Sequence, residues 1–159
     1  TAAATILGGG MTARLMHVVR EQKGLGTYGI YSQVQHISPT TDTLFCVQGT
    51  FSPNSLKEGL SFTKQLIQEW HKNGVTEREL QDVKDNMIGR RVIASDTIDQ
   101  LHDMVLHYII QGKSPKEAFD AFCSDVKALT LEKVNAAIQK WIDPSQMVEI
   151  VVGPLGTEN

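Results

Sequence analysis

The first clear periodicity in the chain is helical. Met11, Leu15, Val18 and Val19 recur at helical spacing, while Arg14, His17, Arg20, Glu21 and Lys23 fall on the remaining faces. This predicts an amphipathic helix, entered through Gly8, Gly9 and Gly10 and stopped by Gly24 or Gly26. The three leading glycines permit either a positive φ or a close backbone approach, and Thr12 caps the helix or lies in its first turn. Ahead of them, the alanine-rich run from Thr1 to Leu7 reads as the last turns of another helix. The period then falls to two. Tyr28, Ile30, Ser32 and Val34 alternate with Gly29, Tyr31, Gln33 and Gln35, as in a strand with two differently dressed faces. Thr43 to Phe51 alternates likewise, and Ser38-Pro39-Thr40-Thr41 with Asp42 between the two runs predicts an antiparallel hairpin.

Helical spacing returns at Ser52-Pro53 and continues through Leu56, Leu60, Phe62, Leu66, Ile67 and Trp70 to a stop at Asn73-Gly74. Trp70 reads as a core anchor. Thr76 and Glu79 have the spacing of a capping box, which opens a helix carrying Leu80, Val83, Lys84, Met87, Ile88 and Arg91 at helical intervals. Arg90-Arg91 reads as a solvated helix face, too short for a nucleic-acid patch. Ser95 to Gln111 forms the next helix, with Ile98, Leu101, Val105, Leu106, Tyr108 and Ile109 available for packing. Ser114-Pro115 with Glu117 starts another, turning Ala118, Phe119, Phe122 and Val126 inward. Thr130 to Trp141 is the last, held by Leu131, Val134, Ile138 and Trp141 and stopped by Asp143-Pro144. Met147 to Val152 reads as a short strand lying beside the hairpin. Early and late strands around a helical middle give an α+β class, an antiparallel sheet packed against several helices, in a single domain over residues 1–159.

Composition narrows the function more than the fold. A chain of 159 residues with 41% hydrophobic content suits one globular domain. The net charge of -3, from 15 Lys+Arg against 18 Asp+Glu, gives no general attraction for nucleic acid or an anionic membrane. No apolar run approaches the roughly 20 residues of a membrane span, so the expectation is a soluble protein whose compartment is left open. Cys46 and Cys123 provide no disulfide framework and read as small buried hydrophobes. Thr1 is not an initiator methionine, which suits a processed chain or a piece of something longer.

The chemistry-bearing residue types form no local motif. His17, His36, His71, His102 and His107 contain no recognised ligand set, and His102 and His107, five apart, do not share a helix face. No catalytic zinc site is therefore expected within the chain. Asp99, His102 and Asp103, like Asp82 and Asp85, read as solvated faces, since nothing beside them supplies an electrophile or nucleophile. Gly8-Gly9-Gly10 lacks the lysine and hydroxyl of a phosphate-binding loop and does not follow the dinucleotide fingerprint.

A family resemblance runs through these same residues. Leu7-Gly8-Gly9-Gly10-Met11-Thr12-Ala13-Arg14-Leu15, Val19-Arg20-Glu21-Gln22-Lys23-Gly24-Leu25 and Tyr28-Gly29-Ile30-Tyr31-Ser32 closely resemble a segment of the pitrilysin-like (M16) zinc peptidases. Gly74 to Leu80 is similar to a second signature of that family. Ala128-Leu129-Thr130 through Val152-Gly153-Pro154 is similar to its closing helix and strand. The resemblance implies a LuxS/MPP-like metallohydrolase domain, truncated on its N-terminal side so that its first strand is missing. It is similar to the C-terminal domain facing the zinc across a peptide chamber. The resemblance assigns no cofactor to this chain. It places zinc in a complementary M16-like domain, in the same parent chain or another subunit, which binds the metal through an inverted His-x-x-Glu-His motif. Arg20 and Tyr28 match the arginine and tyrosine that orient a peptide substrate and stabilise the oxyanion. The family pattern runs from Gly-Leu directly to a small residue and tyrosine, whereas Gly24-Leu25-Gly26-Thr27-Tyr28 holds one extra residue, and Gly26 bears on where Tyr28 points.

Three readings follow. In the first, the chain is the substrate-contacting domain of a zinc-dependent endopeptidase and hydrolyses no peptide by itself. In the second, it is a non-catalytic structural or peptide-binding subunit of an M16-like complex. An unrelated α+β peptide-binding module is the third reading, and it requires that the helix after Gly10 not feed the strand at Tyr28.

Overall fold

The structure, a computed structural model, describes residues 1–25, 29–36, 43–93, 98–110 and 112–153, the side chains of Gln22, His36 and Gln100 excepted. In order these form α1 (Ala2–Gly8), a π-helix (Met16–Gln22), β1 (Tyr31–His36), β2 (Thr43–Gln48), a 3-10 turn (Pro53–Ser55), α2 (Leu56–Asn73), α3 (Glu77–Ile93), α4 (Ile98–Ile110), α5 (Pro115–Lys127), α6 (Leu131–Trp141) and a second 3-10 turn (Pro144–Gln146). They divide into two compact units, one of Thr1–Val75 with residues from Val134 onward, the other of Thr76–Lys133.

The first unit is built on the β1–β2 pair, antiparallel with Tyr31 opposite Gln48 and His36 opposite Thr43. In this register Ser32 faces Val47 and Val34 faces Phe45 on one side of the sheet, while Gln33 faces Cys46 and Gln35 faces Leu44 on the other. The first side is the core side. Phe45 stacks on Trp70 of α2 at 5.9 Å, and Trp70, Leu7, Leu15, Val19, Ile30 and Ile138 are all fully buried. Gly8 explains how α1 comes so close to β1: a Cβ there would lie 2.3 Å from Ser32 N and 2.7 Å from Leu15 Cδ1. The buried Ser32 hydroxyl completes the contact by donating to Ala4 O at 2.6 Å. Of the two uses open to these glycines, Gly8 and Gly9 serve close approach, since neither has a positive φ.

At the other end of this unit α2 stops at Gly74, whose φ of 70 favours glycine. Asn135 of α6 clamps the next residue, accepting from Val75 N at 2.8 Å and donating to Val75 O at 3.4 Å. The Arg14 guanidinium donates to Gly74 O at 3.0 Å, and the Gln139 amide donates to His71 O.

In the second unit the capping box forms as its spacing predicts. Thr76 N–H donates to Glu79 Oε2 at 2.8 Å and Glu79 N–H to Thr76 Oγ1 at 3.3 Å. Ser114 caps α5 by accepting from Glu117 N at 3.4 Å. Leu80, Val83 and Val126 are buried, with Ala118, Phe119 and Phe122 half-buried on the same helix as Val126. Arg91 departs from the solvated reading. Its guanidinium lies between the Tyr108 ring at 5.2 Å and the Phe122 ring at 5.1 Å, so α3 is tied to α4 and α5 by a cation between two aromatic faces.

Other expectations fail for identifiable reasons. Met11 precedes the helix and is 53% exposed, while Ala13 and Met16 take the buried places. Trp141, the last residue of α6, is exposed with Lys140 over its ring; α6 packs through Val134 and Ile138 one turn apart. Among the described side chains of α4 only Tyr108 is buried, and Ile98, Leu101, Leu106 and Ile109 face outward. Met147–Val152 is not a strand. Among the described residues the sheet has two strands, and this segment makes no backbone hydrogen bond to them. Lys64 holds it through Glu149 at 2.5 Å, while Val148, Ile150 and Val152 stay 82–91% exposed. The hairpin turn, including Pro39 and Asp42, lies outside the described residues, as do Ser95 and Gln111.

Candidate functional site

The α1, π-helix and β1 elements form one continuous unit with buried inner surfaces. Leu15 and Val19 fix the π-helix from within, and Gly24, at φ 64, ends it. Arg20 lies in this helix and is half-buried. Beside it, Glu21 accepts from His17 Nδ1 at 2.8 Å on the exposed side. Lys23 reaches over the Phe62 ring at 4.5 Å, which joins the helix end to α2. Tyr28 and Gly26 lie outside the described residues.

The face of β1 and β2 opposite the core carries Tyr31, Gln33, Gln35, Leu44, Cys46 and Gln48, none of them buried. The Tyr31 hydroxyl donates to Gln48 Oε1 across the strands. Three glutamines and a tyrosine give this face both donors and acceptors, the equipment for hydrogen bonding to a peptide backbone. Periodicity sorts the strand faces correctly, but it gives no sign of the Tyr31–Gln48 bond, which depends on register.

Cys46 and Cys123 are free and half-buried. His102 pairs with the adjacent Asp103 at 3.4 Å, both side chains being exposed. Among the described residues no three His, Cys, Asp or Glu side chains gather into a metal-binding group. A zinc ion therefore has no fitting donor set there, and no step of a mechanism runs through one on these residues. Among the described residues no helix is long and apolar enough to cross a membrane.

The sequence model of the peptidase M16 inactive domain matches residues 1–87, which include α1, the π-helix, both strands and α2. The chain belongs to the pitrilysin-like peptidase M16 family, as its C-terminal inactive domain. Among relatives of this M16 domain, a Bacillus subtilis protein named uncharacterized zinc protease YmxG is 28% identical over 131 residues, covering 82% of this chain and 31% of its own length. A Helicobacter pylori protein named non-peptidase homolog YmxG is 24% identical, covering 92% of this chain and 33% of its own. The M16 domain thus spans about a third of these relatives. Its fold is similar to that of a crystallised peptidase M16 inactive domain from Pseudomonas fluorescens, with a TM-score of 0.70 and 29% identity over 90% of this chain and 33% of that one. The periplasmic protease PqqL from Escherichia coli shares the fold at a TM-score of 0.62, with 22% identity over 80% of this chain and 14% of its own.

Proposed function

We propose that the chain is the substrate-contacting domain of a zinc-dependent endopeptidase that hydrolyses peptide bonds in polypeptides. Membership of the M16 inactive-domain family carries this reading, because the matched residues 1–87 contain both Arg20 and Tyr28. Zinc belongs to the complementary M16-like domain, in the same parent chain or another subunit, and supplies the activated water there. The work of this chain is binding and orientation. The Arg20 guanidinium offers a planar set of donors to a substrate carbonyl or carboxylate. The Tyr28 hydroxyl donates to the oxygen that becomes negative in the tetrahedral intermediate, an interaction stronger in the transition state than in the bound substrate. In the assembled peptidase, Tyr28→Phe is expected to lower kcat more than peptide affinity. Unchanged kcat in that variant removes the role given to Tyr28.

We also read residues 1–159 as a single LuxS/MPP-like domain without its first strand. The apolar Met147–Val152 segment supports this, since the exposed Val148, Ile150 and Val152 and its lack of backbone bonds to other described residues suit a strand completed from elsewhere in the parent polypeptide. Amide exchange at 147–152 that slows when the parent polypeptide is intact is the expected sign; equal exchange in both forms refutes it.

The naming of the Helicobacter pylori relative as a non-peptidase homolog favours a second reading, a non-catalytic structural or peptide-binding subunit on the same scaffold. The two separate on one observation: an inverted zinc motif in the parent chain or partner supports the enzyme, and its absence from the whole complex supports the scaffold.

A further inference from the structure

The helix bearing Arg20 is π-helical over seven residues, Met16–Gln22, whereas π geometry ordinarily occurs as single turns and often at functional sites. Lys23 N–H bonds to Val18 O, five residues back, at 3.2 Å. Gly24 N–H then bonds to Arg20 O at 2.9 Å and Leu25 N–H to Val19 O at 3.0 Å, which closes the element. The wider turn changes where Arg20 lies. In an α-helix a residue five positions beyond Leu15 sits about 140° round the axis from it, but closure at five residues brings that position back close to the same line. Leu15 is fully buried, and Arg20, five residues on and so near its line, is half-buried while Glu21 is exposed.

We infer that the π-helical turn is a positioning device for Arg20: it rotates the residue from the outer helix surface to the margin of the buried stripe, fixing the direction from which its guanidinium meets a peptide carbonyl or carboxylate. This inference rests on the reading of Arg20 as a substrate-orienting residue. The long side chain gains a defined origin on a wall already immobilised by Leu15 and Val19. Gly24 is the residue that permits the closure, because the last turn ends in a left-handed conformation.

The test is peptide binding by the chain in its full polypeptide context, with the zinc-bearing domain present and EDTA added to stop hydrolysis. The probe is dye-labelled, reduced and carboxymethylated α-lactalbumin, followed by fluorescence anisotropy. Arg20→Ala is expected to weaken binding about 10- to 100-fold, the loss of a hydrogen bond to a charged group. Deletion of Gln22, which leaves six residues for an α-helical path, is expected to match that loss. Gly24→Ala is expected to weaken binding and Gly24→Asn to restore it, since asparagine tolerates the left-handed conformation. This pair carries the test if the deletion does not fold, because a Cβ at Gly24 meets nothing within 4 Å. If Arg20→Ala weakens binding while neither the deletion nor Gly24→Ala does, the positioning role is overturned and the reading of Arg20 stands. If Arg20→Ala changes nothing, both fall. A direct check is the NMR coupling through the Lys23 hydrogen bond: coupling to the Val18 carbonyl supports the π-turn, and coupling to the Val19 carbonyl overturns it.

Discussion

Gly8→Ala is the substitution that most sharply tests how the α1, π-helix and β1 unit is held together. The added Cβ would lie 2.3 Å from Ser32 N, 2.7 Å from Leu15 Cδ1 and 2.8 Å from Ser32 Oγ, and two of these three atoms belong to the strand whose hydroxyl bonds Ala4 O at 2.6 Å. Backbone cannot step aside as the end of a flexible side chain can. Overpacking of this kind costs about 1–3 kcal/mol, and a broken buried hydrogen bond leaving the Ser32 hydroxyl unpaired costs about 1–3 kcal/mol. The two losses share one site and overlap, so a net destabilisation of about 3 kcal/mol is expected. For a chain of this size that corresponds to a fall in Tm of about 6–12 °C. Urea and thermal unfolding followed by circular dichroism measure it. Gly89→Ala is the control: it lies inside α3, its Cβ meets nothing within 4 Å, and it is expected to stabilise by about 0.5–1 kcal/mol. A Gly8→Ala chain within about 0.5 kcal/mol of the parent, the range of an ordinary surface change, refutes the close-approach account.

Asn135→Ala removes both hydrogen bonds to Val75 and is expected to cost about 1–3 kcal/mol in the same unfolding assay, with a smaller effect arguing that water replaces the clamp. Thr76→Ala breaks the capping box at the start of α3 and is expected to cost about 1 kcal/mol, with earlier amide exchange in the first turn of that helix. Hydrogen bonds from the Ser145 hydroxyl and amide hold the Asp143 carboxyl below its ordinary value of 3.8. With the folded pKa the lower one, this contribution to stability is complete above the ordinary pKa and is lost as pH falls through the folded value. Carbon-detected NMR titration should therefore place the Asp143 midpoint below 3.8, and Ser145→Ala should raise it; a midpoint at or above 3.8 in the parent chain contradicts the turn described.

The parts of the fold legible in sequence were those set by local chemistry. The Thr76 capping box, the Ser52 and Ser114 starts and the Gly74 stop each depend on neighbours within four residues, and each forms as its spacing predicts. Alternation also sorted the strand faces correctly, with Ile30 and Ser32 buried and Tyr31 exposed. What escaped depends on contacts distant in sequence. An α-helical reading of Met11 to Lys23 could not anticipate five-residue closure, because the same apolar residues satisfy both periods. Arg91 looked solvated beside Arg90 because Tyr108 and Phe122, which enclose it, arrive from two later helices. Met147–Val152 has the composition of a strand, but a strand exists only with a ladder partner, and among the described residues it has none. For the proposed site, Arg20 and Tyr28 rest on family resemblance, while the half-burial of Arg20 depends on the helix geometry beneath it.

On the proposed reading this M16 domain contacts substrate, and cleavage needs a zinc-bearing counterpart. The most direct measurement is the hydrolysis of an unstructured polypeptide by residues 1–159 alone and after addition of the complementary zinc-bearing domain. On this reading the chain alone gives no cleavage, and cleavage that EDTA abolishes is expected once the two are combined. Zinc-dependent hydrolysis by residues 1–159 alone, or combined activity that is unchanged when this chain is left out, would contradict it.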